Sequence, residues 1–159
     1  MGAKGDALAK QFESKAHEIR GVIETLNDVD WKRVTSAEKW SVGVVAHHIA
    51  TSHEMIAGLV KTIADGKPGP NIPMDTIHAM NAKHAQDFAG CTKADTLDLH
   101  RKGAAAAAAI VRGIPDEGFA RSGNVLVGMP PMTAEQLATG LLCGHPNDHL
   151  ASIKATVGH

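Results

Sequence analysis

The sequence has few aromatic residues and few cysteines. It contains no tyrosine, three phenylalanines and two tryptophans, so neither an aromatic cage nor a platform for stacking nucleic-acid bases is expected. Its two cysteines, Cys91 and Cys143, are too few for a disulfide framework or a cysteine-based zinc site and fit a reducing compartment. Sixteen basic and seventeen acidic residues leave a formal net charge of -1. That balance provides no basic field for a phosphate backbone, and we expect no nucleic-acid partner.

A long apolar run is also missing. The longest one, residues 103–111, is mostly alanine and is far shorter than the roughly 20 residues that cross a bilayer. Charges scattered through residues 1–20 are unlike a signal peptide. We therefore expect a cytoplasmic protein without a membrane partner. With 159 residues, 43% of them hydrophobic, the chain can bury one core, which predicts a single domain over residues 1–159.

Apolar residues recur at helical spacing in the first half of the chain. One stripe predicts an amphipathic helix over residues 6–27. A second predicts a helix over residues 42–65, with Ser41 as its N-cap and Gly66 at its end. Two Pro/Gly-rich connections, at about residues 66–74 and 113–132, then separate helical regions, and residues 124–127 of the latter are candidates for a short extended piece.

Two further helical regions follow in the second half. The third starts near Asp75 and is broken at residues 89–91, where Thr92 and Asp95 resemble a capping box, so it is either one kinked helix or two, ending near Arg112. The fourth is predicted as one helix from Thr133 to about Val157, because Thr133 and Gln136 form a capping box. This pattern predicts an all-α fold, a four-helix bundle with long crossing connections.

The feature in excess is histidine, of which there are ten, and three of them interrupt apolar stripes. On the second helix, His48 faces the interior of the bundle, whereas His47 points more to the side. In the fourth helix an apolar stripe at a spacing of four includes two histidines; its members are Leu137, Leu141, His145, His149 and Ile153. We predict that His48, His145 and His149 bind one divalent metal ion, Zn²⁺ or Ni²⁺, and leave a coordination position for water or a substrate.

Other residues near these histidines have weaker patterns. Pro146 stands where a helical zinc-protease motif needs its glutamate, which excludes that class and predicts a kink. Glu54 and Asp148 are candidates for a base or a supporting carboxylate, although a solvated helix face is the favoured interpretation of both. His84 is a candidate to border a cavity, and Cys143 is expected to be a buried filler.

Three segments are similar to motifs of the DinB/YfiT-like superfamily of small bacterial four-helix proteins. Residues 40–50, Trp-Ser-Val-Gly-Val-Val-Ala-His-His-Ile-Ala, resemble the start of that superfamily's second helix. His145-x-x-x-His149-x-x-x-Ile153 resembles its last helix, and residues 77–81 resemble the opening of its third. The resemblance extends from about Leu8 to Ile153 and selects His48, as the stripe does.

The resemblance implies a four-helix bundle, commonly dimeric, with a divalent metal held by three histidines. Understood members are mainly enzymes of low-molecular-weight thiols: transferases that join such a thiol to an electrophile, and mycothiol-dependent maleylpyruvate isomerase. With 159 residues assigned to one domain, we expect no counterpart of the isomerase's additional C-terminal domain. The resemblance therefore favours a metal-dependent transferase or hydrolase that activates a thiol or water for a small-molecule substrate, as a homodimer. A non-catalytic, stress-associated metal- or ligand-binding protein is the alternative.

Overall fold

Helices make up most of the computed structural model, which describes residues 2–158. In chain order they are α1 (Ala3–Thr25), α2 (Asp28–Lys32), α3 (Val42–Ala64), α4 (Met74–Asp87), α5 (Lys93–Arg112), α6 (Ala134–Leu137) and α7 (His145–Val157). The all-α fold class predicted from the sequence is confirmed. No described helix is long and apolar enough to span a membrane.

The bundle consists of α1, α3, α5 and the region of α6 and α7. Helix α3 is central, since it packs along α5 and also against α7, while α1 packs along α5. Close approach of α3 and α5 depends on small residues: a Cβ atom at Gly103 would lie 3.1 Å from the carbonyl oxygen of Ala50. The alanine-rich stretch after Gly103 continues this contact, with Ala107 and Ala108 buried.

Polar side chains begin several of these helices as the sequence predicts. Ser41 accepts a hydrogen bond from the backbone of Val44, and this satisfies a free N–H group at the start of α3. Thr92 does the same for Asp95 at the start of α5. The third region is therefore two helices, α4 and α5, which settles the choice between one kinked helix and two.

The prediction of one continuous fourth helix is wrong in its interior. Thr133 and Gln136 do form the reciprocal capping box at its start. However, α6 passes into a π-helical segment, Ala138–Leu142, in which the amide of Cys143 bonds to the carbonyl of Ala138, and α7 begins anew at His145. Pro146 has no amide hydrogen to donate to Leu142, so the α-helical ladder cannot continue through this point.

The second long connection also contains local structure. It has a 3₁₀ turn, Asp116–Ala120, and a two-residue antiparallel pair in which β1 (Ser122–Gly123) lies against β2 (Met132–Thr133). The candidate extended piece at residues 124–127 contributes one parallel bridge, from Leu126 to Ile72. The two long connections therefore contact each other and cover one side of α3.

Two clusters of buried apolar side chains form the core. The larger joins one half of α1 and α3 to α5, the 3₁₀ turn and α6; its bulky members include Phe12, Ile56, Val60, Ile63, Val111, Phe119, Leu137 and Leu142. The smaller joins the other half of α1 and α3 to α7 and includes Ile19, Ile23, Val45, Ile49, Leu150 and Ile153. On α7 the predicted ligands His145 and His149 lie between the two clusters, and on α3 His48 directly precedes Ile49 of the smaller cluster.

Candidate metal centre

The structure brings the three predicted ligands together. His48 lies on α3 and is 7% exposed, whereas the half-buried His145 and His149 lie one turn apart at the start of α7. The Nε2 atom of His145 is 3.3 Å from Nε2 of His48 and 3.3 Å from Nε2 of His149. One ring nitrogen from each residue lies within 4.8 Å of the others, so the group can hold a metal ion.

The donor set fits a divalent ion of intermediate softness. Zinc–nitrogen bonds of about 2.0–2.1 Å in a tetrahedral site separate neighbouring nitrogens by roughly 3.3 Å, which matches the two measured separations. One proton on His145 Nε2 can serve only one of its two neighbours. The Nδ1 atom of His145 is buried and has no hydrogen-bond partner among residues 2–158. A cation held by these three residues would satisfy their facing lone pairs.

Glu38 completes the arrangement from a loop that the sequence analysis did not single out. Its Oε1 atom lies 2.9 Å from Nδ1 of His149, and its Oε2 atom accepts a 2.6 Å hydrogen bond from Ser152. An Nδ1–H···carboxylate bond leaves Nε2 of His149 unprotonated, which is the tautomer that a metal ligand needs. The loop is closed by a bridge between Val34 and Ser41, and Lys39, at φ 64°, turns the chain beside Glu38.

Electrostatics keep the site in the state that metal binding requires. Burial, reinforced by the neighbouring histidines, lowers the pKa of His48 to about 3 and that of His145 to about 4. Both rings are therefore neutral at pH 7 and present lone pairs. Burial by itself raises the pKa of Glu38, but hydrogen bonds, first that from Ser152, outweigh it and leave this pKa lowered. The carboxylate is thus ionised beside His149.

A cavity of about 390 Å³ opens beside the site. It lies between α3, α4 and the two long connections, and His48 and His145 are among the residues that line it. A structural zinc site is closed by a fourth protein ligand, whereas a catalytic one keeps a position that a small molecule can reach. The cavity leaves the histidine cluster within reach of a small molecule.

Two other histidines lie beside the predicted ligands. Nδ1 of His47 is 2.8 Å from Nε2 of His84, and Phe88 stacks on the His47 ring at a centroid distance of 4.2 Å. The ring of His84 is 5.6 Å from that of His48. His84 is not among the residues that line the cavity, so the structure does not give it the border position for which it was a candidate; it contacts His47 instead.

A second, fully buried histidine pair is formed by His53 and His100, which no motif in the sequence distinguishes. His100 is 3.0 Å from the carbonyl oxygen of Ala16 through Nε2, and its Nδ1 atom lies 3.0 Å from Nε2 of His53. Because the carbonyl can only accept, His100 carries its proton on Nε2 and accepts one from His53. Burial lowers the pKa of both rings, that of His53 to about 3. Their helical positions carried the signal, since both fall on buried faces of α3 and α5.

The remaining candidates take ordinary roles. Glu54 and Asp148 are exposed, in agreement with the solvated helix faces favoured from the sequence, and Glu38 takes the supporting position for which they were candidates. Cys143 is 6% exposed, and burial raises the pKa of its thiol, which makes it a poor nucleophile. Trp40 packs edge-on against His48, with ring centroids 5.5 Å apart.

Fold and site together define a small helical protein with an accessible cluster of three histidines. Residues 12–142 match the family model described as the mycothiol maleylpyruvate isomerase N-terminal domain. This match covers most of the chain, which belongs to that family and through it to the DinB-like superfamily. The match includes His48 and ends before His145. No curated protein and no solved structure matches the chain.

Proposed function

We propose that this protein is a metal-dependent enzyme that joins a low-molecular-weight thiol to a small electrophile. His48, His145 and His149 hold the metal, and the observation that carries the proposal is the convergence of their Nε2 atoms beside an open cavity. Imidazole donors favour Zn²⁺ or Ni²⁺. A divalent ion bound there lowers the pKa of a thiol and so supplies a nucleophile at neutral pH. Water activated in the same way would make the enzyme a hydrolase.

The chain's own residues perform the remaining tasks. Glu38 holds the Nδ1 proton of His149 and orients the ring. Ser152 and the loop of Thr35 and Trp40 fix Glu38 in turn. The cavity walls exclude water from the electrophile, so that the thiol is the nucleophile that reaches it. In the overall step the thiol loses its proton to solvent, a sulfur–carbon bond forms, and the electrophile releases its leaving group.

Mycothiol is the first thiol to test, because the matching family carries it in its description. The metal-loaded protein is incubated with 1-chloro-2,4-dinitrobenzene and, in separate reactions, mycothiol, bacillithiol, glutathione or coenzyme A. We expect conjugation above the buffer rate with at least one thiol and its loss in His145→Ala. A rate equal to buffer with every thiol would contradict the proposal. It would instead favour the non-catalytic, stress-associated metal- or ligand-binding protein.

We further propose a cytoplasmic homodimer, by analogy with the superfamily. Large apolar side chains that are exposed in the single chain support association; Val29 is 66% and Val34 64% exposed. Light scattering coupled to size exclusion measures the mass directly. We expect twice 16.7 kDa, and a mass equal to one chain at all concentrations would contradict the dimer.

A further inference from the structure

The cavity beside the three histidines is lined by uncharged side chains. No Lys, Arg, Asp or Glu is among its lining residues, all of which lie within residues 2–158. Its walls are mainly aliphatic and thioether groups from α3, α4, the long connections and the π-helical segment, including Met55, Ile56, Leu59, Ile77, Leu126 and Leu141. Its volume lies within the range of about 300–1,000 Å³ that is typical of small-molecule sites.

Such walls discriminate strongly by charge. An ionised carboxylate that enters them loses its hydration and finds no cationic side chain in return, so its transfer from water is unfavourable. A neutral molecule of similar shape loses only water that apolar walls hold weakly. A metal ion on the histidines would offer a partner to one carboxylate, but the second carboxylate of a dicarboxylate such as maleylpyruvate, which the description of the matching family names, would meet only uncharged walls.

Polar anchors in the cavity are few. Apart from the two histidines, Ser52 and Asn81 are the lining residues with polar side chains. The hydroxyl group of Ser52 already donates a 2.7 Å hydrogen bond to the carbonyl of His48. Asn81 on α4, whose amide both donates and accepts, is thus the side chain that can orient one carbonyl or hydroxyl group of an otherwise apolar ligand.

The mouth of the cavity is also apolar. Met55, Met74 and Met80 line it and are each about half exposed, between 48% and 59%. Methionine is flexible and polarisable, and it is common where a surface accepts apolar ligands of varied shape. The exposed apolar groups at the mouth and the uncharged walls inside both favour an uncharged, apolar ligand.

We propose that the cavity binds a neutral, largely apolar organic molecule with one hydrogen-bonding group, and that this is the electrophilic substrate class. The second part rests on the proposed thiol chemistry at the histidines; the first rests on the cavity alone. Asn81 is the positioning residue for the ligand's polar group, and Ile77 and Leu126 set its preference for uncharged molecules.

Methyl cinnamate and cinnamate form a matched pair of probes for this preference. They share a ring and an unsaturated chain, but at pH 7.5 only the acid is charged. Isothermal titration is carried out on the protein as purified and after treatment with EDTA, so that coordination of cinnamate to bound metal is not mistaken for binding in the cavity. In the EDTA-treated protein we expect the ester to bind one-to-one and at least about tenfold more tightly than the acid. Equal or tighter binding of cinnamate there, or no binding of either probe at millimolar concentration, would overturn the proposal.

Variants locate the binding. Ile77→Glu introduces a carboxylate into the cavity and should weaken ester binding at least about tenfold, whereas Thr76→Glu, on an exposed neighbour in the same helix, should change it less than about twofold. If Ile77→Glu does not fold, Leu126→Glu and its control Val127→Glu make the same comparison on the loop. If both members of each pair weakened ester binding equally, the location would be wrong. It would also be wrong if ester binding weakened as the protein self-associated, because a second copy of the chain would then cover the mouth of the cavity. If the protein binds the ester but conjugates no thiol, the proposed enzyme activity is rejected and the proposed ligand class of the cavity stands.

Discussion

The proton of His149 is controlled by one residue far from it in sequence. Glu38 accepts from Nδ1 across 111 positions of the chain and is itself held by Ser152, a side chain three positions beyond His149 on α7. Because the carboxylate decides which nitrogen of the neutral ring is free, it would act on metal affinity without contacting the metal.

Replacing this carboxylate should weaken metal binding. Glu38→Gln keeps an oxygen acceptor and loses the charge, so we expect Zn²⁺ affinity, measured by competition with a chromogenic chelator, to fall about 10- to 100-fold. Glu54→Gln, at an exposed position, is the matched control and should remain within about twofold of the unsubstituted protein. Equal affinities for all three proteins would show that Glu38 does not support the site.

The buried pair of His53 and His100 makes stability depend on pH. Both rings are neutral in the folded protein because burial lowers the pKa of each, that of His53 to about 3. In the unfolded chain they ionise near pH 6.5. Below that value the unfolded state binds protons that the folded state refuses, so this stability is present above pH 6.5 and is lost as the pH falls.

The double variant His53→Leu/His100→Leu should flatten that dependence. Between about pH 6 and pH 5 the free energy of unfolding should fall less steeply, by about 1.4 kcal/mol per pH unit for His53 and further for His100. Urea unfolding in EDTA at several pH values measures the slope, and His17→Leu/His78→Leu, two exposed histidines, serves as the control. Parallel slopes for the unsubstituted protein and the double variant would contradict the account.

Among the elements, the π-helical segment joins α6 to α7 and so positions two of the three predicted ligands. It adds a residue to the turn before His145, and the side chain that packs into the core there is Leu142, while Leu141 is half-buried and faces the cavity. The local backbone depends on Gly144, since a Cβ atom at that position would collide with the carbonyl of Gly140.

Two glycines of this region should therefore respond differently to alanine. Gly144→Ala should lower the free energy of unfolding by about 1–3 kcal/mol because the backbone must move, and it should also weaken metal binding. Gly140→Ala meets no atom within 4 Å and should be neutral or stabilising by up to about 1 kcal/mol. Chemical denaturation compares them, and similar losses from both substitutions would mean that the π-helical segment does not depend on this contact.

Local signals in the sequence predicted where helices begin, but not every interruption. The capping residues Ser41, Thr92 and Thr133 act within a few positions, and periodicity then carries each prediction along its helix. The fourth region kept its spacing of four through Pro146, and a regular stripe does not reveal one extra residue in a turn. The sequence allowed the three histidine ligands to be predicted, because His48, His145 and His149 each interrupt an apolar face. Glu38 could not be predicted, because it lies in a loop and its role depends on tertiary contact with α7.

At the scale of the whole molecule, histidines form a polar layer between two apolar clusters. On α3, His53 lies between Ile49 and Ile56 and His48 directly precedes Ile49, while the histidines of α7 lie between Leu142 and Leu150. Such a layer costs stability unless its nitrogens find partners. A bound ion would link α3 to α7 across the layer, so the fold and the proposed activity depend on the same side chains.

Metal binding should therefore stabilise the whole chain. At a free Zn²⁺ concentration of about 100 times its Kd, binding adds about 2.7 kcal/mol, which corresponds to roughly 5–10 °C in Tm for a chain of this size. The shift should disappear in His145→Ala and persist in His78→Ala, an exposed histidine. Differential scanning calorimetry measures it, and an equal shift in both variants would place the stabilising metal elsewhere.

The most direct test of the account is the metal content of tag-free protein after equilibration with Zn²⁺ or Ni²⁺ and removal of excess ion, measured by plasma mass spectrometry. We expect about one ion per chain for the unsubstituted protein and for His84→Ala. A large loss is expected for each of His48→Ala, His145→Ala and His149→Ala, provided that circular dichroism shows them folded. Full retention of metal by folded His145→Ala, or no metal in the unsubstituted protein, would contradict the three-histidine site.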